Sequence, residues 1–255
     1  MSEFPEGVAL VIGGSGGVGA AICETLAERG CNVALSYRNN EAAATKTADA
    51  VRAHGGDAHV YRLSLDDSDH VKGVVDDVAS THGPLHTLVY AAGPSFPMQF
   101  ISQVDATQFA SVMASDAQGF FNVVSAALPH LRAAEAASLV AVTTAGLERF
   151  PAKDILSVAP KAAVDAVVRG VAFEEGRFNV RANSVALGVI EAGMFHRLTG
   201  ADELGSEWVD AAKRNTALKR FGSATEVAEV VAFLASSRAS YVTGQRIVMD
   251  GGYSV

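Results

Sequence analysis

Residues Val8–Ile12 form an unbroken apolar run that passes directly into Gly13-Gly14-Ser15-Gly16-Gly17-Val18-Gly19, and an Ala-rich stretch of helical character follows from Ala20. A short apolar run of this kind reads as a strand buried on both faces. Glycines at its end allow a very tight turn, and the next helix then aims its free N–H groups and its dipole above the strand end. Such a strand, turn and helix make an anion cradle suited to a pyrophosphate. Two dinucleotide registers fit, Gly14-x-Gly16-x-x-Gly19 and Gly13-x-x-x-Gly17-x-Gly19. The same residues also match a hydrolase nucleophile elbow, Gly13-x-Ser15-x-Gly17. That elbow belongs on a central strand with others before it, whereas here it follows the first strand of the chain. A plain structural glycine turn is the third reading, and the cofactor loop is the one carried forward.

The rest of the chain repeats the same alternation. Strand-like runs fall at Asn32–Tyr37, Ala58–Leu63, Thr87–Ala91, Ser138–Thr143, Asn179–Val185 and Arg246–Met249. Helical stretches lie between them at Val18–Arg29, Glu41–His54, Asp67–His82, Ala117–Arg132, Ser157–Glu175 and Thr225–Ser236. Strands alternating with helices of this length imply βαβ units around a parallel sheet covered on both faces. The expected fold class is α/β, a single Rossmann-type doubly wound domain over 1–255 with about seven parallel strands. The stretch Ile190–Ala217 breaks the rhythm with Gly193, Gly200 and Gly205 and is a candidate substrate lid.

Composition narrows the partners. Apolar types are 49% and charged types 19% of the 255 residues, which supplies an ample core and excludes extensive disorder. A net charge of −8 repels phosphate backbones and argues against nucleic acid. No apolar run approaches the ~20 residues of a membrane helix, and Met1–Pro5 shows no secretory pattern. Cys23 and Cys31 are too few for a disulfide framework, so a cytoplasmic location is expected. At the end of the second strand, Ser36-Tyr37-Arg38-Asn39-Asn40 carries no acid to bind a ribose 2′-hydroxyl. The guanidinium of Arg38 would instead clamp a 2′-phosphate, so NADP(H) is favoured, with NAD(H) the alternative.

Taken together, these residues resemble the short-chain dehydrogenase/reductase family over essentially the whole chain. Gly13, Gly17 and Gly19 match its cofactor turn, with Ser15 and Val18 between them, although Ile12 replaces the usual Thr. Ser64-Leu65 stands where that family has an Asp-hydrophobic pair at the adenine, and Tyr90-Ala91-Ala92-Gly93 stands for its Asn-Asn-Ala-Gly motif. Asn183-Ser184-Val185-Ala186-Leu187-Gly188, ahead of Ile190, resembles its Asn-x-Val-x-Pro-Gly segment, and Tyr241–Gly244 with Asp250-Gly251-Gly252 its C-terminal signature. The resemblance implies a cofactor held by these residues and a two-fold-symmetric homotetramer assembled through the C-terminal segment and the two long helices.

It also implies an active site of Tyr-x-x-x-Lys, a Ser thirteen residues before the Tyr, and an Asn on the preceding long helix. Lys161 matches the lysine, but Ser157 stands at the tyrosine, Thr144 at the serine and Asp116 at the asparagine. A serine hydroxyl is a far weaker acid than a phenol, so Lys161 cannot bring Ser157 near neutrality. For Asp116 a main-chain or structural role is favoured, with a protonated acid as the alternative. The 2,4-dienoyl-CoA reductases share Ser-x-x-x-Lys but carry a tyrosine where this chain has Gly146; enoyl-ACP reductases carry one where it has Asp154. Tyr90, Glu148, Lys153, Asp154 and His196 remain as ionisable candidates, each expected on a loop or surface. No metal is expected, because Gly83-Pro84 breaks the helix that His82 and His86 would need. The expected activity is NADPH-dependent reduction of an activated carbonyl or conjugated enoyl group, such as an acyl thioester. The rival reading is a cofactor-binding pseudoenzyme that acts as a binding or regulatory subunit.

Overall fold

The computed structural model describes residues 3–200 and 205–255. Seven strands form one sheet: β1 (Val8–Ile12), β2 (Asn32–Tyr37), β3 (Ala58–Arg62), β4 (Leu85–Tyr90), β5 (Ala137–Thr144), β6 (Val180–Leu187) and β7 (Arg246–Met249). All neighbours pair in parallel, in the order β3-β2-β1-β4-β5-β6-β7. The order reverses between β1 and β4, which opens a crevice above their C-terminal ends.

Alternation along β1 shows why the sheet is covered twice. Val8, Leu10 and Ile12 enter one core with residues of helices α3 (Ser68–Thr81), α5 (Gly119–Ala133) and α6 (Ile155–Glu174). Ala9 and Val11 enter the other with α1 (Gly17–Glu28), α2 (Glu41–Ala53) and α9 (Ala224–Ala235). Each helix contributes a stripe at helical spacing, as with Val71, Val75 and Val78 on α3. The fold is therefore the single doubly wound α/β domain expected from the alternation.

Several boundaries move. The helix expected to begin at Ala117 begins at Ala106, as α4 (Ala106–Val112), and continues through a π-helical turn, Met113–Gln118, into α5. Asp105 caps it by accepting from the Gln108 N–H at 2.8 Å. The sequence hides this start because little of the segment before Gly119 is apolar and buried: Val112 and Asp116 alone turn inward. β4 begins at Leu85 and ends at Tyr90, so Tyr90 closes the strand expected over Thr87–Ala91. α6 begins at Ile155, which places Ser157 inside its first turn. The expected lid contains α7 (Met194–Gly200) and α8 (Ser206–Arg214), and its residues 201–204 lie outside the described residues. No helix among the described residues is long and apolar enough to cross a membrane.

Candidate cofactor groove and reaction site

A groove follows the crevice above β1, β2 and β4. Gly13, Ser15, Arg38, Leu65, Ala92 and Gly93, all expected at the cofactor, line it, together with Ser36, Asp66, Tyr90 and Ser115. Two glycines enforce its floor. Gly13 has φ +83°, and a Cβ there would stand 2.9 Å from the Ala92 backbone. A Cβ on Gly19 would collide with the Gly13 carbonyl oxygen. No side chain caps α1, so its first N–H groups stay available at the groove, where the helix dipole favours an anion. The Gly13 N–H itself is taken, donating to Ser36 Oγ at 3.1 Å and fixing the turn to β2.

At the other end of the groove the charge pattern is set by two arginines. Arg38 follows β2, and Arg62 ends β3 in register with Tyr37 across the ladder. Both line a small recess with Tyr37, Asn39 and Glu41. The sequence does not single out Arg62, because its place beside Arg38 depends on β3 pairing with β2. Ser64 does not line the groove directly; its hydroxyl donates to Asp66 Oδ1 at 2.5 Å. That bond, with help from Arg38, holds the Asp66 carboxyl below the usual carboxylate range. The carboxylate missing from position 64 is thus present two residues on.

The reaction end is organised differently. Lys161, buried on α6, donates to Asp116 Oδ1 at 3.0 Å and to the Ala92 carbonyl at 2.9 Å. Asp116 sits in the π turn, where the widened backbone brings both its carboxylate and its main-chain carbonyl to Tyr90, whose hydroxyl donates to them at 3.0 and 3.2 Å. Asp116 therefore makes its contacts through its side chain as well as its main chain, and its carboxyl faces Lys161 in a buried salt bridge. Tyr90 is fully buried, its ring edge-on to Phe120 at 4.8 Å, which corrects its expected place on a loop or surface. Burial first, then the Asp116 charge and hydrogen bond, hold its phenol well above the ordinary range, so it stays a donor.

Ser157 lies one turn before Lys161, half-buried, with no hydrogen bond to its hydroxyl among the described residues. Thr144 ends β5 and accepts from the Gly146 N–H at 3.1 Å. The other candidates separate. Glu148 pairs with Arg246 at 2.6 Å, Lys153 lies over the Phe100 ring at 4.9 Å, and His196 is exposed. Asp154 is half-buried rather than on the surface, and burial raises its carboxyl to about 7. His82 accepts or donates toward the Tyr61 hydroxyl at 2.7 Å, while buried His86 faces Thr87 and Cys31. Gly17 and Val18 open α1, and Ile190 lies nearby on a short bridge to Gly222; Gly193 comes down onto Gly17, so the chain after β6 roofs the start of α1.

A doubly wound parallel sheet with a glycine turn and an uncapped helix at its switch point, and a basic recess beside the ends of β2 and β3, defines a dinucleotide-binding α/β protein. Residues 13–254 match the family model described as enoyl-(acyl carrier protein) reductase. The chain is 31% identical over 245 residues to the 3-oxoacyl-[acyl-carrier-protein] reductase FabG of Staphylococcus aureus, covering 96% of each chain. It is 32% identical to the versicolorin reductase stcU of Emericella nidulans, covering 96% of this chain and 94% of that one. A short-chain dehydrogenase from Burkholderia cenocepacia in complex with NADP superposes with a TM-score of 0.89 at 28% identity, covering 99% of this chain and all of that one. The chain belongs to the short-chain dehydrogenase/reductase family, and its class is that of NAD(P)-dependent oxidoreductases.

Proposed function

We propose that this chain is an NADPH-dependent reductase of an activated carbonyl or conjugated enoyl group, with an acyl thioester as the favoured substrate. The single observation that carries the cofactor half is the recess shared by Arg38 and Arg62, where two guanidinium groups outnumber the one carboxylate, Glu41, in the lining. The residues fit the cofactor: the N–H groups of Gly17, Val18 and Gly19 at the start of α1 would hold its pyrophosphate, with Ser15 beside them. Leu65 and Asp66 would flank the adenine, taking the place of the Ser64-Leu65 pair, and Ala92, Gly93 and Ile190 would line the path toward the nicotinamide. Bound there, the reduced nicotinamide supplies a hydride.

What the chain itself contributes follows from its side chains. The ammonium of Lys161 has three N–H donors, and two are committed to Asp116 and Ala92, leaving one for a ribose hydroxyl. Asp116 fixes the lysine, and Tyr90 fixes Asp116. Ser157 and Thr144 take the places of the family's Tyr and Ser, and their hydroxyls would donate to oxygen as negative charge develops there. By themselves these two hydroxyls serve enolate stabilisation better than ketone protonation. The names of the relatives support the thioester class, since FabG is a 3-oxoacyl-[acyl-carrier-protein] reductase and the matching family model an enoyl reductase. Segment 190–217 would act as the substrate lid. The rings of Phe121 on α5 and Phe173 on α6, 52% and 90% exposed, support a homotetramer packed through those helices. Two buried, unpaired thiols fit a cytosolic setting.

The replacement of tyrosine by Ser157 also favours the second reading, a cofactor-binding subunit without turnover. An NADPH-oxidation screen over matched 3-ketoacyl and 2-enoyl thioesters separates the two. Enoyl turnover is expected to exceed keto turnover, and Ser157→Tyr to raise keto reduction selectively. Tight NADPH binding with no turnover on either series would establish the pseudoenzyme.

A further inference from the structure

Reduction of a carbonyl takes up a proton as well as a hydride, and neither Ser157 nor Thr144 is an acid of useful strength near neutral pH. Tyr90 is committed to Asp116 and Lys161 to Asp116 and Ala92. We propose that Asp154 is the proton donor of the reaction site, a catalytic residue that rests on the reductase reading: it stands at the start of α6 on the face that carries Ser157 and Lys161, three and seven residues on, and its carboxyl has no partner among the described residues. A rise of 1.5 Å per residue puts Ser157 about 4.5 Å and Lys161 about 10 Å along the helix axis from it. Asp154 is the N-cap of α6, yet its side chain makes no capping bond; its main-chain carbonyl accepts from Ser157 and Val158 instead. The helix beside it packs into a small apolar cluster of Phe96, Val112 and Leu156, which dries its surroundings.

Among the described residues no cation offsets that drying. Lys153 is drawn onto Phe100, Arg149 donates to the Tyr253 carbonyl, Glu148 pairs with Arg246, and Asp105 caps α4. Asp116 faces Lys161. Burial alone therefore pushes the Asp154 carboxyl up to about 7, so it carries a proton through much of the neutral range and can release it. As a bound reduced nicotinamide would give up a hydride from carbon to the substrate carbon and be oxidised, the substrate's π electrons would move onto oxygen, and the Asp154 O–H bond would break as its proton passes to that oxygen, leaving the carboxylate. Solvent then reprotonates the carboxylate.

Labelling the protein with carboxyl-carbon-13 aspartate tests this without cofactor. One resonance, lost in Asp154→Asn, should titrate near pH 7, and Asp154→Asn should raise the melting temperature more at pH 8 than at pH 4. Loaded with NADPH, the variant should bind it with unchanged affinity but turn over thioester substrates 10²–10⁴-fold more slowly, without the alkaline limb of the wild-type pH profile. Asp154→Glu should recover part of the rate. Asp154→Ser, which can cap the helix, guards against a folding defect and should be as slow as Asp154→Asn. A resonance titrating in the ordinary carboxyl range, or full turnover in Asp154→Asn, overturns the assignment and leaves the reductase reading standing. Absence of wild-type turnover on every thioester overturns both.

Discussion

The two sides of the crevice solve their electrostatics in opposite ways. On the β1–β2–β3 side, charged groups stand at the rim: Arg38, Arg62 and Asp66 are exposed and within reach of a ligand. On the side of β4 and the α5–α6 helices, a charged pair is buried: Lys161 and Asp116 are 8% and 1% exposed and satisfy each other. Rim charges are strengthened by a ligand that arrives; a buried pair has its main partner already. In the function proposed above, the first side would bind the cofactor and the second would be a scaffold whose residual donors serve the chemistry. β4 is the seam between them, with Tyr90 at its upper end and His86 near its lower end.

The largest expected effect breaks the buried pair. Asp116→Ala should destabilise the protein by about 3–5 kcal/mol, because it strands the Lys161 ammonium in a dry site. The double variant Asp116→Leu with Lys161→Met should recover most of that loss, as measured by urea titration. Equal losses in both would show that packing, not charge, dominates this side.

The lower end of the seam gives a pH dependence. Burial lowers His86 from 6.5 to about 4, so the native state resists a proton that the unfolded imidazole accepts. Its contribution is complete above about pH 6.5 and is lost as the pH falls toward 4, amounting to about 3 kcal/mol across that window. His86→Gln should flatten the stability profile over the same interval. An unchanged slope would assign it to other groups.

At the rim the effect is on binding rather than folding. Arg38→Asp should weaken NADPH by roughly 10- to 100-fold, equivalent to about 1.5–3 kcal/mol, with little change for NADH. Arg62→Ala should give a smaller loss in the same direction. Calorimetry with both cofactors is the check, and equal losses for the two would remove the 2′-phosphate assignment. The smallest effect concerns Thr143, next to Thr144 on β5, whose buried hydroxyl has no partner among the described residues. Thr143→Val keeps the shape and removes the orphan, so stability should stay within about 1 kcal/mol or rise.

Much of the architecture is written locally. The Val8–Ile12 strand, the glycine turn and the helix after it are contiguous, so the groove floor was readable from one segment. Helical stripes such as Val71, Val75 and Val78 announce themselves by spacing. Arg38 was readable because the second strand and the residue after it are adjacent in the chain. Arg62 was not, since its relevance depends on β3 lying beside β2 in register. The start of α4 was hidden because a helix exposed along most of its length leaves little apolar period to detect.

The reaction site divides along the same line. From sequence, Lys161, Ser157, Thr144 and Asp116 could be nominated, and the weakness of a serine as an acid follows from its functional group alone. Three choices belonged to the tertiary structure. A π turn swings Asp116 onto Lys161; the sheet lifts Tyr90, 26 residues earlier, under the same carboxylate; and the drying of Asp154 depends on which neighbours pack around the start of α6. Residue type and periodicity are properties of the chain, so the sequence determines the strands, most helices and the anion cradle. Protonation and partnership depend on the distance between charges and on the water left between them, and those quantities exist only once remote segments have been brought together.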